Sequence, residues 1–431
     1  MGRIKGNWNP EDPTFWKVEG KKHARRNLWI SVPALLLAFA VWQIWSVVAV
    51  SLNDIGFSFS KGELFTLAAL PGLTGATLRL FYSFVVPIFG GKNWTIISTA
   101  SLLIPSIGIG LAVQNPETSF MTMAILAALC GLGGGNFASS MGNISFFFPK
   151  SEKGAALGIN AGIGNLGVSA VQFLAPLVVT AGIFGTVAGG PQLLASGENA
   201  WMQNAAFIWV IPIILTVIAA IFGMDNLPNV KASVSEQVAI FSNKHTWLMT
   251  FLYVMCFGSF IGYSAAFPLL IRTEFPEVNA LQYAFIGPLV GALIRPVGGW
   301  ISDKFGGAIV TFIDIIIMIS ATFGVIYFLN AGDFTGFLIM FLILFTTTGI
   351  ANGSTFRMIP IIFPPIQAAP VLGFTSAIGA YGAFFIPKIF GWSLETTGSA
   401  TLALYLFIGY YAMSLFVTWY WYSRKNAEIK C

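Results

Sequence analysis

The sequence predicts an all-α polytopic membrane protein whose twelve transmembrane helices form two pseudo-symmetric six-helix bundles. Three observations lead there. Of 431 residues, 56% are hydrophobic and 9% charged, with a mean hydropathy of +0.78, more apolar surface than a soluble domain can hide. Apolar runs of about 18 to 30 residues recur about twelve times with short interruptions. The second half also repeats the first. At an offset of 216 residues, Gly75/Gly291, Ala76/Ala292, Arg79/Arg295, Phe89/Phe305, Gly90/Gly306, Gly91/Gly307 and Thr95/Thr311 coincide without a gap.

In chain order, a largely polar cytoplasmic segment, 1–27, comes first, and no cleavable signal peptide is expected. Six spans at 28–52, 64–89, 94–114, 119–148, 154–184 and 201–224 make the first bundle, 28–224. Several exceed the ~20 residues a bilayer needs, which implies tilt or protrusion. The longest polar interruption, 225–245, is a cytoplasmic linker that tethers the bundles. Within it, Ser233 and Glu236 have capping-box spacing before Val238, Ile240 and Phe241, and predict a short surface helix. Spans at 246–270, 281–302, 308–330, 336–363, 370–391 and 401–422 make the second bundle, 246–422, and 423–431 is a cytoplasmic tail. The 46 glycines suit helices that approach closely in lipid.

Charge placement sets the orientation. With both termini in the cytoplasm, 16 lysines and arginines fall on the inner side and only Lys61, Arg272 and Lys388 outside, as the positive-inside rule requires. The remaining three, Arg79, Arg295 and Arg357, lie within spans. Cys130 and Cys256 fall inside spans and Cys431 is the last residue, so no disulfide framework, metal cluster or cofactor is expected.

Arg79 is near the centre of span two and Arg295 well inside span eight. A permanent charge at that depth is costly and should face a polar interior. Neutralisation by a nearby acid is a weak explanation, because no Asp or Glu falls near the middle of any span. Asp314, about two turns into span nine, comes nearest. Arg357, near the inner third of span ten, could pair with it or snorkel to the cytoplasm, and is read as pairing or gating rather than ligating. Two facing guanidinium groups ~7 Å apart would repel by roughly 2–3 kcal/mol at an effective dielectric of ~20. A monovalent anion between them removes most of that, and the planar fork favours a trigonal or bent oxyanion over a halide.

A second repeat supports the first. Phe148-Pro149 with Gly158, Gly164 and Gly167 is matched at offset 215 by Phe363-Pro364 with Gly373, Gly379 and Gly382. These glycines read as packing and hinge elements. Two six-span halves in parallel repetition are the layout of the major facilitator superfamily. Ser302 to Gly307 resembles that superfamily's loop motif, with Asp303 as a structural latch; the first-half copy, Phe89 to Asn93, lacks the acid.

Three further stretches sharpen the resemblance. FASSMGNISFFFPKSEKGAALGINAGIGNLGVS (Phe137 to Ser169) resembles the first signature of the nitrate/nitrite porter family, and NGSTFRMIPIIF (Asn352 to Phe363) with LGFTSAIGAYGAFFIPKIFG (Leu372 to Gly391) resembles the second. The N-terminal WNPEDPTFW and ARRNLWIS and the span-seven FGSFIGYSAAF are also similar to this family. Only a few residues, Pro364 to Ala369, join spans ten and eleven, where some relatives carry a longer insertion. The resemblance implies a nitrate or nitrite anion bound between Arg79 and Arg295. It also implies Phe137 and Phe257 sandwiching the anion, Tyr253 as a hydrogen-bond donor and Asn165 as a signature asparagine. The residues themselves are compatible with this. Tyr253 lies one turn before Phe257, on the same helix face, and Asn165 sits among Gly162, Gly164 and Gly167. As isolated residues the phenylalanines would be read as core packing.

An anion entering a negative-inside cell works against ~2.3 kcal/mol per 100 mV, so uptake needs a proton partner or an outgoing anion. His23 and His245 are expected at the cytoplasmic surface and no carboxylate is central. The expectation is therefore a nitrate/nitrite antiporter of the bacterial inner membrane, serving nitrate assimilation, with a proton-coupled symporter as the alternative. An enzyme would need a nucleophile, metal cluster or haem ligands that the sequence does not offer, and a sensor would need an output domain. The partners expected are the two anions and membrane lipid, without nucleic acid, for a monomeric carrier.

Overall fold

The computed structural model describes residues 8–194, 197–227 and 239–431; the capping box at Ser233 to Glu236 lies outside the described residues. Among the described residues twelve helices of membrane length follow one another, one for each expected span. They are α1 Pro13–Ser51, α2 Lys61–Tyr82, α3 Gly91–Ala112, α4 Phe120–Phe147, α5 Lys150–Val178 and α6 Asn204–Gly223. After the linker come α7 Lys244–Glu274, α8 Ala280–Phe305, α9 Gly307–Ala331, α10 Phe334–Ile362, α11 Pro370–Thr397 and α12 Thr401–Ser423. Between α5 and α6 a two-residue hairpin pairs Gln192 with Ala200 and Leu193 with Asn199.

The largest departure from the sequence reading is the start of α1. The helix begins at Pro13 within the segment 1–27, because Asp12 caps it by accepting from the backbone N–H groups of Thr14 and Phe15, and proline suits the first helical position. Trp8 Nε1 donates to the Phe146 carbonyl at 3.1 Å and Trp16 Nε1 to Glu152 Oε1 at 2.9 Å, tying this polar helix to α4 and α5. Several helices are locally irregular. α1 turns at Gln43–Ile44, α7 passes through a π-helical segment at Val254–Gly258, and α11 breaks at Ala380–Tyr381. Such π segments inside α-helices recur at functional sites.

By its contacts the chain divides into two compact units: Met1–Ile44 with Asp54–Phe57 and Thr74–Ala232, and Trp45–Asn53 with Ser58–Leu73 and Ser233–Cys431. They differ from the linear halves where Trp45–Asn53 of α1 and Ser58–Leu73 of α2 join the second unit. The reason is close backbone contact: a Cβ on Gly72 would lie 2.4 Å from the Ala383 carbonyl carbon, and Lys388 Nζ donates to Thr66 Oγ1 at 2.8 Å.

In unit one, α1 packs on α4 and α5. A Cβ on Gly167 would meet the Leu36 carbonyl oxygen at 2.1 Å, so only glycine permits the α1–α5 approach. At one end of the unit, Asp225 is buried against α1, with His23 Nδ1 at 2.8 Å, Asn27 Nδ2 at 3.2 Å and Arg26 bonded to the same carboxylate oxygen. Burial opposes its ionisation, but these three partners outweigh that and hold its carboxyl below the usual aspartate range.

In unit two, α8 and α9 each pack on α10, α7 on α11, and α9 on α12. The two irregular stretches meet here: a Cβ on Gly382, just past the α11 break, would fall 2.3 Å from Gly258 Cα at the end of the π segment.

Candidate functional site

In unit one, Arg79 is wholly buried on α2. Its Nε donates to the Gly134 carbonyl of α4 at 3.0 Å, and its guanidinium carbon lies 4.8 Å from the Phe137 ring centre and 5.2 Å from that of Trp42. Ring faces carry negative quadrupolar charge and stabilise a cation by about 0.5–2 kcal/mol each, without cancelling its charge. Glycine at 131, 133, 134 and 135 makes the fit possible, since a Cβ on Gly134 would strike Trp42 and Gly75. Asn165 on α5 is 1% exposed, and its Oδ1 accepts no hydrogen bond among the described residues. Gly164 lies against Leu35 and Gly167 against Leu36, which makes them α1–α5 packing residues.

In unit two, Arg295 is half-buried on α8. Its Nη2 donates to the Tyr253 hydroxyl at 3.4 Å, and its guanidinium carbon lies 5.1 Å from the Phe356 ring centre. Nη1 is buried with no hydrogen-bond partner among the described residues. Tyr253 and Phe257 are buried on the π-irregular part of α7 and stack, with ring centres 5.6 Å apart and planes at 26°. The π turn sets these two rings one above the other next to α11, where a Cβ on Gly379 would touch Tyr253 Cδ1 at 2.9 Å and Phe257 Cδ1 at 3.5 Å. So Tyr253, Phe257, Arg295, Gly379 and Gly382 are gathered in one unit, as Arg79 and Phe137 are in the other.

Arg357 does not pair with Asp314. It forms an ion pair with Asp303 of α8, both side chains 50% exposed, so it joins the loop motif between α8 and α9 to α10 near the helix ends. Asp314 faces the interior of its unit and is 3% exposed; the outward-facing Asp303 is the acid within reach of an arginine that leans to the helix ends. Trp42, Gly134 and Phe356 complete the two arginine environments without having been singled out in the sequence. Phe356 lies inside the second signature, immediately before Arg357; Trp42 carries no signal beyond an aromatic in an apolar helix.

Each half thus presents a guanidinium against aromatic rings, with the Gly134 carbonyl on Arg79 in one and the Tyr253 hydroxyl on Arg295 in the other. Such a set suits a small planar anion and offers no group for covalent chemistry. Among the described residues no cluster of three or more histidine, cysteine or acidic groups could hold a metal.

A family profile for the Major Facilitator Superfamily matches residues 31–387. The chain is 50% identical over 450 residues to the nitrate/nitrite transporter NarU of Salmonella typhimurium, covering 98% of this chain and 96% of that one. It is 43% identical over 436 residues to the probable nitrate/nitrite antiporter NarK2 of Thermus thermophilus, covering 99% and 98%. Among solved structures, a D-xylose-proton symporter matches with a TM-score of 0.73 over 92% of this chain and 97% of that one, at 14% identity, a likeness of fold alone. The chain belongs to the major facilitator superfamily and, within it, to the nitrate/nitrite porter family, whose members are transporters and not enzymes.

Proposed function

We propose that this chain exchanges nitrate for nitrite across the bacterial cytoplasmic membrane, as a monomer with both termini in the cytoplasm. The observation that carries the reading is the pair of arginines at equivalent positions of the repeat, each seated on aromatic faces within the apolar part of its helix. The anion binds to both Arg79 and Arg295, whose forks donate paired hydrogen bonds along its edges. Phe137 and Phe257 cover its faces and exclude water, Tyr253 donates a hydroxyl, and Asn165 offers its amide. The bundles 28–224 and 246–422 alternate access by rocking, and the signature glycines keep their helices in close sliding contact.

Exchange follows from the electrostatics. A site with two fixed cations resists closing while empty, so its return favours carrying a second anion. One-for-one exchange also moves no net charge against the ~2.3 kcal/mol per 100 mV that nitrate influx alone would face. The names of similar proteins support the substrates: NarU is a nitrate/nitrite transporter, and NarK2 is named a probable nitrate/nitrite antiporter.

Counterflow in proteoliposomes tests this. Labelled nitrate should enter vesicles loaded with nitrite or nitrate and should not accumulate in vesicles without an internal anion. Equal uptake without internal anion, driven instead by a pH gradient, would establish the proton-coupled symporter in its place.

A further inference from the structure

The ion pair between Arg357 and Asp303 leaves one acid in the apolar part of unit two unaccounted for. Asp314 of α9 is 3% exposed, and its Oδ2 has no hydrogen-bond partner among the described residues. No lysine, arginine or histidine among them lies within ion-pair distance of it. One turn earlier, Thr311 shares a 2.6 Å hydrogen bond with Ser354 of α10, and the next residue, Thr355, bonds Cys256 of α7 at 3.2 Å. Cys256 belongs to the π segment, next to Phe257. The acid therefore stands behind the helix wall whose front carries Tyr253 and Phe257.

We propose that Asp314 is a proton-binding site: neutral while the carrier binds its anion, and inhibitory once ionised. A carboxylate buried in that position, with no ion-pair partner among the described residues, is costly when charged, so the neutral acid is the form that the packing accommodates. Several charged and titratable groups on the helices packed around it have partners elsewhere. Arg295 of α8 is on Tyr253 and Phe356, and Arg357 of α10 is on Asp303. On α12, Tyr410 donates to the Phe251 carbonyl, and Tyr411 is bonded to Ser259 and Tyr263 of α7. On α7, Cys256 is bonded to Thr355. Ionising Asp314 adds an uncompensated negative charge to the unit that carries Arg295, behind the α10–α7 contact that backs Tyr253 and Phe257, where it offsets part of the positive potential offered to the anion. The anion half of this inference rests on the exchange reading above; the proton half does not.

The test uses the purified full chain and its Asp314→Asn variant, with Asp314→Ser as a second replacement should the first misfold. Infrared difference spectra at neutral pH should show the carbonyl stretch of a protonated carboxylic acid in the wild type that both replacements lack. As pH is raised until that band converts to carboxylate, nitrate affinity of the wild type should fall about tenfold, the effect of one charge near the site at intermediate dielectric. Asp314→Asn should hold its neutral-pH affinity throughout. Identical spectra in wild type and variants would overturn the proposal, as would a wild-type affinity unchanged across the conversion. A protonated-acid band in a protein that binds nitrate at no pH would overturn the anion reading and leave the proton site standing.

Discussion

Tyr253 meets Arg295 through its hydroxyl and Phe257 through its ring, so its two ends are separable by substitution. Tyr253→Phe keeps the stack and removes one hydrogen bond. Nitrate affinity measured by titration calorimetry should fall by about 1 kcal/mol, roughly fivefold, with little change in thermal stability. Residues of this kind were legible from sequence to different degrees. Arg79 and Arg295 stood out because a charge in an apolar span is rare and because the repeat aligned them. Phe137, Phe257 and Tyr253 were singled out only through the family resemblance, since a buried aromatic in a membrane helix is otherwise unremarked. Trp42 and Phe356 were not, because the contact that defines each is made across helices and sequence spacing does not report it. Whether Arg357 pairs with Asp314 or snorkels was open in the sequence for the same reason: Asp303 and Asp314 are both acids in neighbouring segments, and only the orientation of each helix decides which one turns outward.

At the scale of elements, glycines set how closely helices approach, and they are not equivalent. Gly382 faces Gly258 with no space for a side chain, whereas Gly373 has open surroundings. Gly382→Leu should therefore abolish the folded carrier or lower its stability by several kcal/mol, because backbone faces backbone and neither can yield. Gly373→Ala should behave as wild type in a thermal-shift assay. The second-half glycine signature thus mixes positions that packing demands with positions that it does not.

The polar start of α1 is a second element whose role rests on named contacts. Asp225 has its carboxyl held low by His23, Arg26 and Asn27, so it contributes stability when ionised. That contribution is fully present above the unfolded aspartate value near 3.9 and is lost as pH falls through the lower folded value. Asp225→Asn should destabilise the protein by about 1–2 kcal/mol at neutral pH, and the difference from wild type should shrink in strong acid. Helix α1 was cut short in the sequence reading because residues 13–27 lack apolar periodicity, although Asp12-Pro13 is itself a helix-start signal. The π segment of α7 has no sequence signature at all, since it depends on how the helix packs against α10 and α11.

At the scale of the whole molecule, the twelve spans were legible because each must bury its backbone polar groups in a long apolar helix. The repeat made the parallel halves legible for a further reason: a duplicated bundle presents the same helix at the same place twice. The compact units, however, cut across the linear halves, since contacts such as Lys388 with Thr66 depend on which surfaces meet and not on order along the chain. In the proposed exchange, two cations that the repeat makes equivalent serve one anion.

That claim is tested most directly by nitrate binding to the purified wild type, Arg79→Lys and Arg295→Lys, measured by titration calorimetry. Each variant keeps its charge and loses the planar fork, so each should bind nitrate at least about tenfold more weakly while remaining folded. Folded variants that bind nitrate as tightly as the wild type would show that neither guanidinium holds the anion.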